Sequence, residues 1–260
     1  QQPGNIDLLG ALGNVYVGLD DWPRLQGVID SLREADSSRA RAIANELTAR
    51  RLAAENRIDE LTGFLEGLAE QAGEGLGPQI AVIRARLADG DIAAALERTR
   101  GLIEDNPEAG ALRFIEAQIL AVDGQREAAR QILTELIDAS PRAARPRIAL
   151  YRLHAGAGEL EQASDVLDSA LEALPENPDL LWAKAGELER AGNVGEAIAI
   201  YERLYETNSN SVVVANNLAS LIASHRDDQD SLERAYTIAR RLRGTEVPAF
   251  QDTYGWIAFR

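Results

Sequence analysis

Apolar residues in this 260-residue chain recur at three- and four-residue intervals along most of its length. Ile132, Leu133, Leu136 and Ile137 form one such group, and Val166, Leu167, Ala170 and Leu171 another. This spacing lines one face of a helix, whereas a strand alternates its side chains from face to face. β-Branched residues never form the alternating runs that a half-buried strand needs, so the pattern predicts an all-α chain.

The helical stretches are punctuated at a fixed period. Gly90, Gly124, Gly158 and Gly192 lie 34 residues apart and are followed by Asp91, Gln125, Glu159 and Asn193. Ala95, Ala129, Ala163 and Ala197 keep the same interval, as do Pro107, Pro141 and Pro175. A glycine lacks Cβ and can take the left-handed conformation that stops one helix and turns the chain. The polar residue after it can cap or enter the next helix. The alanine suits a crossing point, where a larger side chain would force helix axes beyond their usual spacing of roughly 8–10 Å. The proline ends the second helix and opens the next repeat.

This pattern resembles the tetratricopeptide repeat, a 34-residue helix pair whose first helix carries W-x2-L-G-x2-Y. The fullest copy is Leu9-x2-Leu12-Gly13-x2-Tyr16, with Leu9 in the tryptophan position. The resemblance implies an α-α superhelix, a solenoid of stacked antiparallel helix pairs forming one domain over 1–260. Its register divides the chain into repeats 6–41, 42–75, 76–109, 110–143, 144–177, 178–211 and 212–247, then a half repeat 248–260. The first interval is two residues longer than the others, which places the excess in a loop around Asp36 to Arg39.

Several positions depart from the family pattern. Ile83 and Tyr151 stand where a small residue is expected, Leu25 and Leu61 replace the alanine, and Lys184 and Glu116 replace leucine. The segment Ser224-His225-Arg226-Asp227-Asp228-Gln229-Asp230 is about four residues longer than the register needs if Ala235 is the crossing alanine. Asn217-Leu218-Ala219 and Asp252-Thr253-Tyr254-Gly255-Trp256 resemble the closing units of bacterial members of the family. A further helix would then cover Tyr254, Trp256 and Phe259, and without it that end is expected to be adhesive.

In this family the first helices line the concave side, where extended or helical peptides bind. The register carries that role onto Arg50, Ile80, Arg84, Phe114, Gln118, Arg145, Ile148, Arg152, Trp182, Glu189 and Asn216. Arg50, Arg84 and Arg152 share one repeat position, and aligned guanidinium groups beside aromatic surface suit carboxylates or an acidic peptide. The competing reading is that these arginines are solvated or pair with glutamates of neighbouring helices. Phe114 and Trp182 have the same two readings, ligand contact or core. The clamp with which chaperone-binding members hold a terminal carboxylate needs K-x3-N, N and K-x3-R on three successive first helices. Asn14, Asn216 and Asn217 do not complete it in a chain whose one lysine is Lys184.

Charge narrows the partner further. A formal charge of −15 repels a phosphate backbone, so nucleic acid and anionic lipid are not expected partners. No run approaches the roughly 20 apolar residues that cross a bilayer, so direct membrane insertion is not expected either. The chain lacks cysteine, which removes disulfides, thiolate metal sites and cysteine nucleophiles, and suits an oxidising or a reducing compartment. The opening Gln1-Gln2-Pro3-Gly4 has neither an initiating methionine nor a signal sequence and reads as a piece of something longer.

An enzyme needs convergent nucleophile, base and charge-stabilising groups. Only His154 and His225 are available as imidazole bases, far apart and each better read as a packing or surface residue. No nucleophile elbow, phosphate-cradling glycine loop or zinc-protease motif occurs. Asp228, Asp230 and Glu233 faintly suggest calcium ligands but lack the EF-hand glycine and remaining oxygens, and a solvated loop explains them. The expected function is therefore non-catalytic, without cofactor or metal: a scaffold that binds a protein or peptide partner, an acidic one if the arginine row is used. Two alternatives remain: self-association through the uncapped C-terminal end, and service as an adaptor segment of a bacterial export or polysaccharide assembly protein.

Overall fold

The structure, a computed structural model, describes residues 5–72 and 75–260. The opening four residues discussed above lie outside them. The described residues contain helices and turns but no strand, as the spacing predicted. By contacts the chain divides into two compact units, Gln1–Gly124 and Gln125–Arg260.

The first unit holds α1 (Ile6–Gly18), α2 (Trp22–Glu34), α3 (Ser38–Ala54), α4 (Ile58–Ala72), α5 (Leu76–Ala88), α6 (Ile92–Asp105) and α7 (Gly110–Val122). Each helix packs on the next, and α1 also packs on α3. Leu25, Ile29 and Leu32 of α2 meet Ala40, Ala44 and Leu47 of α3 in the first core. Ser37 accepts from the Ala40 N–H and so starts α3 at Ser38, inside the segment expected to be loop. A well-capped helix end, not an irregular loop, takes up the extra residues.

The second unit holds α8 (Arg126–Ala139), α9 (Ala144–Ala157), α10 (Leu160–Ala173), α11 (Pro178–Arg190), α12 (Val194–Thr207), α13 (Val212–His225), α14 (Gln229–Ala239) and α15 (Pro248–Phe259). A 3-10 turn, Arg240–Leu242, follows α14. Neighbours in sequence again pack in pairs, with α9 touching α11 and α13 touching α15. The largest core lies here and includes Tyr201, Leu218, Ile222, Ala235, Ile238 and Ile257.

The periodic residues do what their chemistry requires. Gly90, Gly124, Gly158 and Gly192 all have φ near +80°, between 79° and 82°. Asp20 and Asn56 take the same place in the first two pairs at φ 52° and 54°, the side chains best able to tolerate it after glycine. Of the residues that follow, Asp91 caps its helix through the Ala94 N–H, whereas Gln125, Glu159 and Asn193 make no side-chain cap. Pro107, Pro141 and Pro175 each lie two residues beyond a second helix.

Ala95, Ala129, Ala163 and Ala197 are buried at helix crossings, and Leu25 and Leu61 are buried in the equivalent places. The other departures are absorbed locally. Ile83 is core, and the phenol of the buried Tyr151 accepts from Arg190 Nη2 at 3.0 Å. Lys184 lies between Asp168 and Glu187, at 2.7 and 2.8 Å, and Glu116 pairs with Arg100 at 2.8 Å. Burial disfavours the Lys184 ammonium, but the two carboxylates outweigh it and hold its pKa above the ordinary value.

The segment 224–230 is less loop than the sequence implied. α13 runs to His225, and α14 opens at Gln229 because Asp228 accepts from the Ser231 N–H at 2.9 Å. Ala235 is buried, but it sits one turn deeper into α14 than Ala197 does in α12.

Candidate functional site

The surface carried over from the register is made by first helices. Residues seven apart on a helix share a face, so Arg145 and Arg152 lie two turns apart along one side of α9, and Trp182 and Glu189 along one side of α11.

In the first unit the expected residues behave differently from one another. Arg50 donates to Asn14 Oδ1 of α1, so this member of the row is engaged within the fold. Arg84 is exposed and has no ion-pair or hydrogen-bond partner among the described residues. Ile80 and Phe114 are half-buried and Gln118 is exposed.

In the second unit Arg145 and Arg152 are exposed without partners among the described residues. Ile148, between them in sequence, is buried with Leu167 and Leu180 in the core of α9 to α11, so it offers a ligand little surface. The register puts it on a first helix, and its side chain packs inward.

Trp182, Glu189 and Asn216 are drawn together by a residue the sequence did not single out. The Tyr201 phenol, on α12, donates to Glu189 Oε1 at 2.6 Å and accepts from Asn217 Nδ2 at 3.1 Å. Asn216 Nδ2 donates to Asn217 Oδ1 at 3.2 Å. The Trp182 and Tyr201 rings meet edge to face, 5.5 Å between centroids. Burial, assisted by Glu189, pushes the Tyr201 phenol up to about 12. This network fixes Trp182 while leaving it 38% exposed, a rigid aromatic surface beside polar groups.

A cleft of about 230 Å³ opens on another side of Trp182. Leu181, Leu204 and Val214 line it with Trp182, as do the acidic Glu176 and Asp179 and the polar Thr207, Asn208 and Ser211. Sequence reasoning missed it because it is enclosed by the ends of three different helices and not by one repeat position.

The remaining candidates serve the fold. His154 is buried, with Nδ1 2.6 Å from Glu159 Oε2. His225 ends α13. Asp228 spends its carboxylate on the α14 cap, and among the described residues no three His, Cys, Asp or Glu side chains are gathered to hold a metal. No described helix is long and apolar enough to cross a membrane. Trp256 and Phe259 stack on each other at 6.0 Å on α15, and both are exposed.

Comparison with known proteins agrees with this architecture. Two family models, both described as tetratricopeptide repeat, match residues 83–144 and 123–188. No curated protein matches the chain by sequence. Among solved structures, a tetratricopeptide repeat protein from Parabacteroides merdae superposes with a TM-score of 0.53 at 14% identity, covering 99% of this chain and 100% of that one. A thermophilic tetratricopeptide protein of Thermus thermophilus matches with a TM-score of 0.47 at 19% identity, over 70% of this chain and 98% of its own. MamA from Desulfovibrio magneticus matches with 0.46 at 17%, over 64% and 94%. The first of these likenesses bears on the fold.

Proposed function

We propose, from the premise that this chain is a tetratricopeptide repeat protein, that it is a non-catalytic scaffold binding a protein partner on the first-helix face of its second unit. Repeats of this kind serve protein interaction in general, and neither family model is a catalytic one. The observation that carries the finer reading is the pair Arg145 and Arg152, two exposed guanidinium groups along one side of α9 that no carboxylate among the described residues of an acidic chain has taken up. Unengaged arginines offer paired donors to carboxylates of a partner, and the fixed indole of Trp182 on α11 supplies an anchor. Acidic segments of a protein are thus the expected ligand for α9.

The test is a pull-down from a bacterial lysate and envelope extract with the wild-type chain and an Arg145→Glu, Arg152→Glu variant. A protein retained by the first and lost by the second, with circular dichroism unchanged, supports the reading. Identical profiles sink it. Arg84→Glu is a second arm, since Arg84 is equally unengaged in the first unit; Arg50 is a poorer choice because its loss also breaks the bond to Asn14.

Self-association is a second reading, favoured by the exposed Trp256 and Phe259. A mass that stays constant in sedimentation across a hundredfold range of concentration, on the order of micromolar to tenths of millimolar, discards it.

A further inference from the structure

The cleft beside Trp182 has a chemistry opposite to that of α9. It is lined by the apolar side chains of Leu181, Leu204, Val214 and the indole, by the polar Thr207, Asn208 and Ser211, and by the acidic residues Glu176 and Asp179. Glu176 is paired with Arg203 at 2.7 Å, whose guanidinium also donates to the Pro175 carbonyl at 2.9 Å. Asp179 has no ion pair among the described residues. At about 230 Å³ the cleft is smaller than the roughly 300–1,000 Å³ of small-molecule sites, and suits one or two side chains of a larger partner.

Three kinds of side chain could enter. An acidic one would face the unpaired Asp179, and the cation nearby, Arg203, is already taken up by Glu176. A purely apolar one would cover the apolar lining but draw Asp179 away from water without a counter-charge, which is costly. A long basic side chain satisfies both parts, with its aliphatic stem along the exposed indole of Trp182 and its cationic head toward Asp179. Arginine does so better than lysine, because its planar head can stack on an indole and meet a carboxylate with two parallel donors. The indole is already held by the edge-to-face contact with Tyr201, so little ordering is left for the ligand to supply.

We propose that this cleft receives an arginine side chain of the protein partner. The inference rests on the reading that the chain binds protein, but not on the arginines of α9. The selectivity expected is moderate, because Asp179 lies in the first turn of α11, where the helix's own N–H groups offset part of its charge. An arginine there, set against acidic residues facing α9, would give the partner a charge pattern of both signs.

The isotopically labelled 260-residue chain is titrated with the peptide acetyl-Gly-Leu-Arg-Leu-Gly-amide and with versions carrying citrulline or glutamate in place of arginine. Amide resonances of residues 176, 177, 179–182 and 208–214 and the Trp182 indole N–H are followed by NMR. Citrulline keeps the shape of arginine without its charge. The expected result is saturable shifts at those positions, with the arginine peptide tighter by about tenfold, an effect that weakens with salt. Glu176→Gln with Asp179→Asn should remove that preference in a chain whose spectrum otherwise stays dispersed. Arg145→Glu with Arg152→Glu should leave it intact.

No shifts at peptide concentrations on the order of millimolar, equal response to all three peptides, or preference for glutamate would each overturn the proposal. Loss of binding in the α9 variant would also overturn it, by placing the peptide elsewhere. A silent cleft together with a pull-down partner lost in the α9 variant removes this inference and leaves the scaffold reading standing. A responsive cleft without such a partner removes the role given to the α9 arginines and leaves this inference standing.

Discussion

Tyr201 and Glu189, on the second and first helices of the sixth pair, share a hydrogen bond of 2.6 Å that joins a core ring to a residue expected to face a ligand. Asn217 donates to the same phenol from the next pair, so one hydroxyl ties three helices together. Removing it by Tyr201→Phe keeps the ring against Trp182 but leaves the Asn217 amide and the Glu189 carboxylate short of a partner. Stability to urea should fall by about 1–3 kcal/mol. The protonated phenol is the form the fold holds, since burial and then Glu189 raise its pKa from 10.0 to about 12. Its contribution is therefore intact below pH 10 and is lost as pH rises through about 12, so the wild type should show a decline over that window that Tyr201→Phe lacks.

The crossing positions allow a paired test. Ala95 and Ala163 are buried where helices meet, and Ala95→Trp or Ala163→Trp should lower stability by about 1–3 kcal/mol or more through overpacking. Leu25 fills the equivalent position in the first pair, fully buried, so there it is the smaller side chain that should hurt. Leu25→Ala is expected to cost about 2–5 kcal/mol through the cavity it leaves. Urea unfolding of the three variants checks both signs, and a neutral Ala163→Trp would mean that the alanine does not set the crossing distance.

These two cases also mark how far the chain could be read without coordinates. The turn glycines and crossing alanines were legible because each rests on a local requirement, a positive φ or a close approach, that few residues meet. The buried Leu25 shows the limit: the register gives its position, but only the packing decides whether that position is tight. Ile148 shows the same limit, since a first-helix position does not settle which way a side chain turns. Tyr201 had no signal of its own, as its partners come from α11 and α13 and no spacing along one helix brings them together. The shifted crossing at Ala235 followed from a helix start at Asp228 that competed with the 34-residue register.

Acid should act through the turn between α9 and α10. Glu159 accepts from His154 there, and this bond, helped by Arg130 and Arg126 and opposed by burial, holds its carboxyl below the ordinary value of 4.5. A lowered folded-state pKa contributes stability that is present above the ordinary value and lost as pH falls through the lowered one. Thermal melts from about pH 6 down to about pH 3 should therefore drop less steeply for Glu159→Gln than for wild type. Parallel slopes would show that the pair does not contribute to folding.

Two glycines inside helices should respond to the same substitution with opposite signs. Gly13 of α1 lies under the Leu47 side chain of α3, so close that a Cβ would overlap it, and Gly10 one turn earlier is nearly as tight against Ile43 Cγ2, at 3.2 Å. Leu47 is itself buried among Leu25, Ile29 and Ala44, which leaves it little room to yield. Gly13→Ala should thus destabilise by about 1–3 kcal/mol although alanine favours helix. Gly101 lies within α6 with nothing near its Cβ position, and its replacement removes only the entropic penalty of glycine. Gly101→Ala should raise stability by about 0.5–1 kcal/mol. Urea midpoints of the two variants decide whether α1 and α3 approach as closely as the overlap implies: a stabilised Gly13→Ala would require Leu47 to move aside and the first core to be looser than its packing indicates.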